Sequence, residues 1–247
     1  MEINNKMKKI NAAKKVFEFI EENSIIGLGS GTTTEEFIRL LSEAADVGFR
    51  IKACVPTSFG SRMCAIKYNL SDYLRDPDQI NKIDVTIDGA DSVGNDYVIK
   101  GGGAALTREK IIAYNSKKFI IIADDSKIMK SDCASVALEC VKFSTPFVIK
   151  TLEKLGYSVI VRTGTGKIGP IISDNNNFII DAKIEIKNAA NLEAMLNNIP
   201  GVLENGIFTK FDRIIIGTEK GTYDVLPNKL SGTSTKRAPC CMISFFG

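Results

Sequence analysis

The sequence contains no histidine. Histidine titrates closer to neutral pH than any other side chain and is the commonest metal ligand in proteins. Its absence excludes every histidine-based catalytic triad and every histidine general base. Any proton transfer in this protein must therefore use a carboxylate, a lysine, a cysteine or a tyrosine.

Cysteine patterns with a recognised chemistry are also missing. The six cysteines form no C-x-x-C pair and no regular framework, so their spacing does not suggest a zinc site built from cysteine and carboxylate. In a cytosolic chain, scattered cysteines are by default buried and reduced. We expect no metal and no disulfide framework.

Long apolar runs and a large excess of one charge are absent as well. Residues 1–9 carry several charges and lead into an amphipathic pattern, without the apolar stretch of a signal peptide or a run of membrane length. The net charge is only +3 with the signs interspersed, which gives no basic surface for nucleic acid or an anionic membrane. We expect a cytoplasmic protein with a small-molecule partner, no nucleic acid and no membrane.

The chain has 247 residues, 44% of them apolar. A chain of this length buries about 70–75% of its unfolded surface, as one large or two modest domains. Strand and helix patterns alternate through its first half, which predicts right-handed crossovers and a mostly parallel, Rossmann-like sheet. In such α/β folds ligands gather outside the carboxyl ends of the strands.

The most informative stretch runs from Ile83 to Lys110. Alternating β-branched residues at 83–87 predict a strand, and a polar turn follows it. A second short strand at 97–99 leads into three successive glycines, where a ligand can approach the backbone closely. The helix predicted from Ala104 places a glutamate near this glycine loop. The residues brought together are Asp88, Gly89, Ala90, Asp91, Lys100, Gly101, Gly102, Gly103 and Glu109.

Each of these features has an ordinary explanation when taken alone. An Asp-Gly-Ala-Asp loop is usually a solvated turn, and Glu109 between Arg108 and Lys110 would normally be an exposed helix charge. Two spaced carboxylates, a lysine before three glycines and a helix-borne glutamate within 22 residues favour a functional site instead.

A second loop joins a short strand at 25–28 to a helix that begins near position 34. Glycines let this loop close around an oxyanion, and the free N–H groups and dipole of a helix N-terminus favour negative charge. Neither the dinucleotide-binding nor the P-loop spacing is met, so we predict a cradle for a single phosphate, with simple N-capping as the alternative. Its residues are Ser30, Gly31, Thr32 and Thr33.

The order of predicted helices and strands changes after Met129. Helices at 146–155 and 188–197 are predicted among short strands at 136–139, 159–162, 171–172, 178–182 and 202–208. This pattern indicates an inserted, smaller α+β domain of the split βαβ, ferredoxin-like type. We predict a Rossmann-like domain over 1–130 plus 209–247, with a lid domain inserted over 131–208. The segment 164–167 is interpreted as a hairpin turn, and 222–247 has no clear period.

Several motifs in this order resemble ribose-5-phosphate isomerase type A. They are Gly27-Leu28-Gly29-Ser30-Gly31-Thr32-Thr33, Val55-Pro56-Thr57-Ser58-Phe59, Asp88-Gly89-Ala90-Asp91, Lys100-Gly101-Gly102-Gly103, Arg108-Glu109-Lys110 and Asp124-Asp125-Ser126-Lys127. The resemblance covers about residues 8–218 and implies an aldose-ketose isomerase of the non-oxidative pentose phosphate pathway that interconverts D-ribose 5-phosphate and D-ribulose 5-phosphate. It also implies a homodimer or homotetramer that needs no cofactor.

The resemblance assigns roles to particular residues. It implies that Glu109 is the base that moves a proton between adjacent sugar carbons, and that Asp88 and Asp91 bind sugar hydroxyls, with Asp88 helping to open the ring. Lys100 and the glycine amides are then placed to stabilise an enediolate. Lys127 and Lys8 are implied as cations at the phosphate.

Three departures from the family pattern stand out. Ser92 replaces the usual acidic residue, Asp125 replaces glutamate, and Asn176 replaces glycine in a turn. Asparagine tolerates the left-handed conformation, so we expect that turn to persist.

Three other functions remain open from the sequence. A metal-dependent hydride-shift isomerase would use Asp88, Asp91 and Glu109 as oxygen ligands. A non-catalytic sugar-phosphate sensor would keep the cradle and need no base. A sugar-phosphate deaminase or acyl-transfer enzyme on a related fold is the third.

Overall fold

The computed structural model describes residues 2–166 and 168–226. In these residues the α-helices are α1 (Glu2–Lys15), α2 (Thr32–Asp46), α3 (Phe59–Lys67), α4 (Leu106–Tyr114), α5 (Thr145–Lys154) and α6 (Ala189–Asn197). The strands are β1 (Ser24–Leu28), β2 (Ile51–Pro56), β3 (Ile83–Asp88), β4 (Ser92–Val93), β5 (Val98–Ile99), β6 (Ser116–Asp124), β7 (Cys133–Cys140), β8 (Ser158–Val161), β9 (Phe178–Glu185), β10 (Val202–Asn205), β11 (Ile207–Phe208), β12 (Arg213–Thr218) and β13 (Gly221–Val225). Short 3-10 helices cover Val16–Phe19, Ser71–Tyr73, Pro77–Gln79, Asp125–Lys127 and Lys142–Ser144.

The central sheet has six strands in the order β13-β12-β6-β3-β1-β2. All neighbouring pairs are parallel except β12 and β13. Strand β1 is buried at every position, as expected for a parallel strand that is covered on both faces. The predicted α/β architecture is confirmed.

Alternation along the strands divides the apolar side chains between two faces of this sheet. On one face Ile120 and Ile122 pack with Ala13 of α1 and Phe37 of α2, while Ile121 on the other face packs in a separate cluster. Helix α4 covers that second face, where its Ile112 packs against β1 and β2. The sheet is therefore covered by apolar side chains on both faces, and the loops at its strand ends lie at its edge.

A separate four-stranded sheet lies between β6 and β12 in sequence, in the order β10-β7-β9-β8 with every pair antiparallel. Helix α5 joins β7 to β8 and helix α6 joins β9 to β10, which is the split βαβ arrangement and confirms that prediction. The division into domains at 1–130 plus 209–247 and 131–208 stays a prediction.

Two predicted strands of this region are wrong. Residues 171–172 form no strand, and only Ile172 makes an isolated bridge, with Phe178. Residues 202–208 form two strands in different sheets, because the chain turns at Gly206 and β11 pairs with β5. Lys100 directly follows β5, so the pairing of β5 with β11 and β4 fixes the position of Lys100.

The remaining expectations have mixed outcomes. Cys54, Cys64 and Cys140 are free thiols, whereas Cys133 is disulfide-bonded, so the expectation of reduced thiols fails there.

The C-terminal stretch 222–247, for which the sequence predicted no element, contains most of strand β13. Its remainder, 227–247, and position 167 of the predicted hairpin turn lie outside the described residues. No helix within 2–166 and 168–226 combines the length and apolar character needed to cross a membrane.

Candidate active site

The carboxyl ends of β1, β3, β5 and β6 meet around one pocket with a volume of about 110 Å³. Its lining comes from five loops or helix starts that are far apart in sequence. The lining residues are Ser30, Gly31, Thr32, Thr33, Gly89, Ala90, Asp91, Lys100, Gly101, Gly103, Glu109 and Lys127. All of them belong to the set predicted from the sequence, although their roles stay predictions.

A buried ammonium lies between two buried carboxylates at the floor of this pocket. Lys100 Nζ is 3.0 Å from Asp88 Oδ1 and 3.3 Å from Glu109 Oε2, and it donates to the Gly89 carbonyl at 2.7 Å. The three residues are at most 4% exposed. In such a dry environment electrostatic interactions are strong and the charged groups depend on each other.

Burial changes the protonation of both carboxylates. It raises the pKa of Glu109 to about 8, although the nearby Lys100 ammonium opposes the shift. Burial also raises the pKa of Asp88, again against Lys100. For Lys100 burial disfavours the charged form, but the two carboxylates outweigh it and the pKa of Lys100 is raised. Glu109 is thus a carboxyl group that can take up and release a proton near neutral pH.

Glu109 reaches the pocket because α4 begins directly beyond the glycine loop. The sequence predicted a helix start at Ala104, but α4 starts at Leu106, so Glu109 lies in its first turn. Its buried Oε2 atom forms an ion pair with the Lys100 ammonium at 3.3 Å and has no other polar partner within the described chain. A buried carboxyl oxygen with a single polar partner needs an explanation, and a catalytic role is one of those known in native structures.

Asp88 lies beneath the pocket and is not part of its lining. Its Oδ1 accepts hydrogen bonds from the backbone N–H groups of Ser30 at 3.0 Å and Gly89 at 2.7 Å. A Cβ at Gly29 would lie 2.1 Å from Asp88 Oδ1, so only glycine at position 29 lets the two loops meet. The carboxylate therefore ties the loop after β1 to the loop after β3 and to Lys100.

The loop after β1 has the geometry of an anion cradle. Gly31 precedes α2 with a φ of 105°, in a region that favours glycine. The first intrahelical bond at this end runs from Glu35 N to Gly31 O, which leaves the N–H groups of Thr32 and Thr33 without a partner inside the helix. These amides and the helix dipole favour a bound anion.

Neighbouring hydroxyls fix the start of the cradle. Ser30 Oγ lies 2.7 Å from Ser58 Oγ and 3.2 Å from Thr57 Oγ1, both in the loop that follows β2. The sequence resemblance included these residues without assigning them a function. Their role here is to hold the Ser30 hydroxyl in place.

The glycine loop after β5 makes a tight turn. Gly101 has a φ of 106° and Ala104 a φ of 59°, and Ala104 N donates to Gly101 O at 3.0 Å. Gly102 N donates to Asp91 Oδ2 at 2.6 Å, so Gly102 positions a lining carboxylate without lining the pocket. Arg162, from the antiparallel sheet, donates to the Gly101 carbonyl at 2.6 Å.

Lys8 does not reach the pocket, in contrast to the expectation from the family resemblance. Its Nζ is 2.9 Å from Asp125 Oδ1, and the lysine of α1 that meets the cradle is Lys9, which donates to Thr32 Oγ1 at 2.8 Å. Consecutive residues of a helix point about 100° apart, which places the two ammonium groups on different partners. Lys127, in contrast, lines the pocket.

Three contributions were missed at the sequence level, namely Lys9, the Thr57–Ser58 pair and Arg162. If the packing of α1 had been known, its helical periodicity would have shown that Lys9, and not Lys8, contacts the cradle. No sequence signal places Arg162, because its contact joins residues 61 positions apart.

No group of three or more cysteine, aspartate or glutamate side chains suited to a metal ion occurs in residues 2–166 and 168–226. The space between Asp88 and Glu109 is taken by the Lys100 ammonium. The floor of the pocket is thus formed by two carboxylates with a lysine ammonium between them.

The fold and the pocket define an α/β protein in which a buried cluster of two carboxylates and one ammonium lies beside the N-terminus of α2. The family model of ribose 5-phosphate isomerase A (phosphoriboisomerase A) matches residues 53–221. The chain belongs to this family, so it is an isomerase.

Relatives and solved structures agree with the family assignment. The chain is 44% identical over 216 residues to ribose-5-phosphate isomerase A of Methanococcus vannielii, covering 86% of this chain and 90% of that protein. The Methanocaldococcus jannaschii ribose 5-phosphate isomerase A structure matches with a TM-score of 0.85 at 37% identity, over 90% of this chain and 99% of that one. A D-ribose-5-phosphate isomerase structure in complex with phospho-erythronic acid matches with a TM-score of 0.84 at 42% identity, over 89% and 97% of the two chains.

Proposed function

We propose that this protein interconverts D-ribose 5-phosphate and D-ribulose 5-phosphate by proton transfer through a cis-enediolate. The observation that carries the proposal is the buried Glu109 carboxyl group, which lines the pocket 3.3 Å from the Lys100 ammonium. A related structure holds phospho-erythronic acid, which is a phosphorylated sugar acid, and this agrees with a phosphorylated substrate.

The reaction needs one base and no co-reactant. Glu109 removes the proton from C2 of the open-chain aldose, the electron pair forms the C1–C2 double bond, and the C1 oxygen becomes anionic. Glu109 then returns a proton to C1, while the proton of the C2 hydroxyl passes to the C1 oxygen and the C2 carbonyl forms. A raised pKa suits a group that must first accept and then donate a proton.

Lys100 and the glycine loop stabilise the charge that develops on the sugar oxygens. The ammonium is already desolvated and held by Asp88 and the Gly89 carbonyl, so it needs little reorganisation during the reaction. The Gly103 amide and the Gly101 backbone add to the same side of the pocket. Donors placed in this way contribute typically about 10²–10³-fold each in rate.

The phosphate is proposed to bind at the N-terminus of α2. Ser30, Gly31, Thr32 and Thr33 supply amides and hydroxyls, and Lys127 supplies a cation. We propose Lys9, through its contact with Thr32, in place of Lys8. The sugar is then held between the cradle and Glu109, with Asp91 available to its hydroxyls.

Asp88 is proposed to act mainly by positioning. It fixes Lys100 and the backbone of Ser30 and Gly89, and it lies below the lining of the pocket. Ring opening, which the family resemblance assigns to Asp88, would on this geometry proceed through Lys100 rather than by direct contact with the sugar.

The decisive experiment uses ribose 5-phosphate in heavy water with a chelator present. Formation of ribulose 5-phosphate with deuterium at C1, followed by proton NMR, supports proton transfer through an enediolate, and loss of this reaction in Glu109→Gln would identify the base. A parallel reaction without chelator completes the test: ketose that forms only there, and without deuterium, would instead indicate a metal-dependent hydride shift. Binding without turnover would indicate a sensor.

The wider setting is also part of the proposal. The reaction belongs to the non-oxidative branch of the pentose phosphate pathway, and we propose a cytoplasmic homodimer or homotetramer. Light scattering coupled to size-exclusion chromatography measures the assembly directly, and a monomer at micromolar concentration would refute that part.

A further inference from the structure

Arg162 connects the antiparallel sheet to the glycine loop of the pocket. It follows β8, and its Nη1 donates to the carbonyl oxygens of Gly101 at 2.6 Å and Gly102 at 3.1 Å. The other side of its guanidinium is held by Asp181 of β9, which accepts from Nε at 2.7 Å and also from Nη2. This is the paired geometry in which an arginine is most firmly oriented.

These contacts determine where the loop amides point. In a trans peptide the C=O and the following N–H project in opposite directions. When Arg162 draws the Gly101 carbonyl toward itself, the Gly102 N–H faces away, and it donates to Asp91 Oδ2 at 2.6 Å. The same relationship turns the Gly103 N–H away from Arg162 when the Gly102 carbonyl is held.

The loop depends on outside contacts to keep this shape. Gly101 and Ala104 both have positive φ values, and a non-glycine residue in that region is retained only when its surroundings enforce it. A Cβ at Gly101 would lie 2.8 Å from the Ala137 Cβ of β7. The loop therefore rests against the antiparallel sheet, and Arg162 is the charged donor that holds its carbonyls there.

We propose that Arg162, oriented by Asp181, is a positioning residue that sets the direction of the Gly102 and Gly103 amides and thereby the placement of Asp91. This inference rests on the proposed function, because it assigns the antiparallel sheet a part in stabilising the enediolate. It predicts that the rate of the chemical step depends on a residue that does not line the pocket.

The test compares Arg162→Ala, Asp181→Asn and the control Arg213→Ala. Arg213 and Asp224 form another part-buried arginine-aspartate ion pair, somewhat more exposed, on β12 and β13, far in sequence from the glycine loop. Each variant is assayed for kcat and KM with ribose 5-phosphate, and for competitive inhibition by inorganic phosphate. The phosphate constant reports on the cradle at α2, which Arg162 does not contact.

For Arg162→Ala we expect kcat to fall about 10–100-fold, as misplacement of catalytic groups typically produces, with the phosphate inhibition constant changed less than about threefold. Asp181→Asn keeps the size of the side chain and is expected to lower kcat in the same direction by a smaller factor. Arg213→Ala should leave kcat unchanged.

Two results would overturn the inference. One is a kcat of Arg162→Ala and Asp181→Asn equal to that of Arg213→Ala. The other is a parallel loss of kcat and of phosphate affinity, which would indicate general disruption. If the wild-type protein does not isomerise ribose 5-phosphate at all, the proposed function fails instead, so the two failures are distinguishable.

Discussion

The Nζ atom of Lys100 lies 3.3 Å from the Oε2 atom of Glu109, and both side chains are almost completely buried. The ammonium favours the ionised carboxylate, while burial favours the neutral acid. The balance raises the pKa of Glu109 to about 8. A base that is held near its own titration point can act in both directions of a proton transfer.

Replacing Glu109 with Gln should remove the base while keeping the shape of the side chain. We expect kcat to fall by about 10²–10⁴-fold, the usual contribution of a general base, with KM nearly unchanged. Steady-state kinetics measures both. Glu153→Gln, on the exposed side of α5, is the matched control and should behave as wild type. A large rise in KM at an unchanged kcat would reject this role for Glu109.

The pH dependence of kcat/KM should report the titration of Glu109. The carboxyl must be ionised to act as the base, and burial raises its pKa to about 8. We therefore expect kcat/KM to rise with pH below about 8 and to level off above it. The rising limb should be absent in the residual activity of Glu109→Gln. A profile that is flat between pH 6 and 9 in the wild type would contradict this expectation.

Lys100→Met should affect both stability and catalysis. Removing the cation leaves Asp88 and Glu109 facing each other in a buried site, and breaking a buried ion pair typically costs about 3–5 kcal/mol. Because Lys100 lowers the pKa of Glu109, the rising limb of the pH profile should move above 8. Chemical denaturation and pH-rate profiles measure the two effects. Adding Glu109→Gln and Asp88→Asn to Lys100→Met should restore part of the stability, whereas no restoration would contradict this view of the cluster.

Much of this site could be predicted from the sequence, because strand ends on one edge of a parallel sheet must lie close together. Alternating β-branched residues marked the strand before Asp88, and three glycines marked the loop after Lys100. The depth of Asp88 was not predictable from the sequence. Whether its side chain lines the pocket or lies beneath it depends on how the loops after β1 and β3 pack together at Gly29. The directions in which the Lys8 and Lys9 side chains point depend on how α1 packs. The turn at Gly206 depends on the pairing of β11 with β5, which are far apart in sequence.

Lys9 and Lys8 offer a direct comparison at the phosphate. Lys9 donates to Thr32 of the cradle, whereas Lys8 is paired with Asp125. Loss of a charged partner of this kind costs about 1–2 kcal/mol, so we expect Lys9→Ala to raise KM and the phosphate inhibition constant by about 5–30-fold. Lys8→Ala is the matched control. A larger effect for Lys8→Ala than for Lys9→Ala would restore Lys8 as the phosphate residue.

Gly206 supports Lys100 from behind, through backbone contacts alone. Its carbonyl accepts from Lys100 N at 2.8 Å and its N–H donates to Ala137 O at 2.7 Å, and a Cβ at this position would lie 2.2 Å from the Lys100 carbonyl oxygen. Because that neighbour is backbone, it cannot rotate away.

Gly206→Ala should therefore push β5 and Lys100 out of place, with a loss of at least about 2 kcal/mol in the free energy of unfolding and a lower kcat. Gly60→Ala in α3 is the control, since its Cβ would meet only Ser58 Oγ at 3.5 Å and helix propensity favours alanine by up to about 1 kcal/mol. Urea denaturation measures the difference. Equal stability of the two variants would show that the junction between β10 and β11 is able to shift without disturbing Lys100.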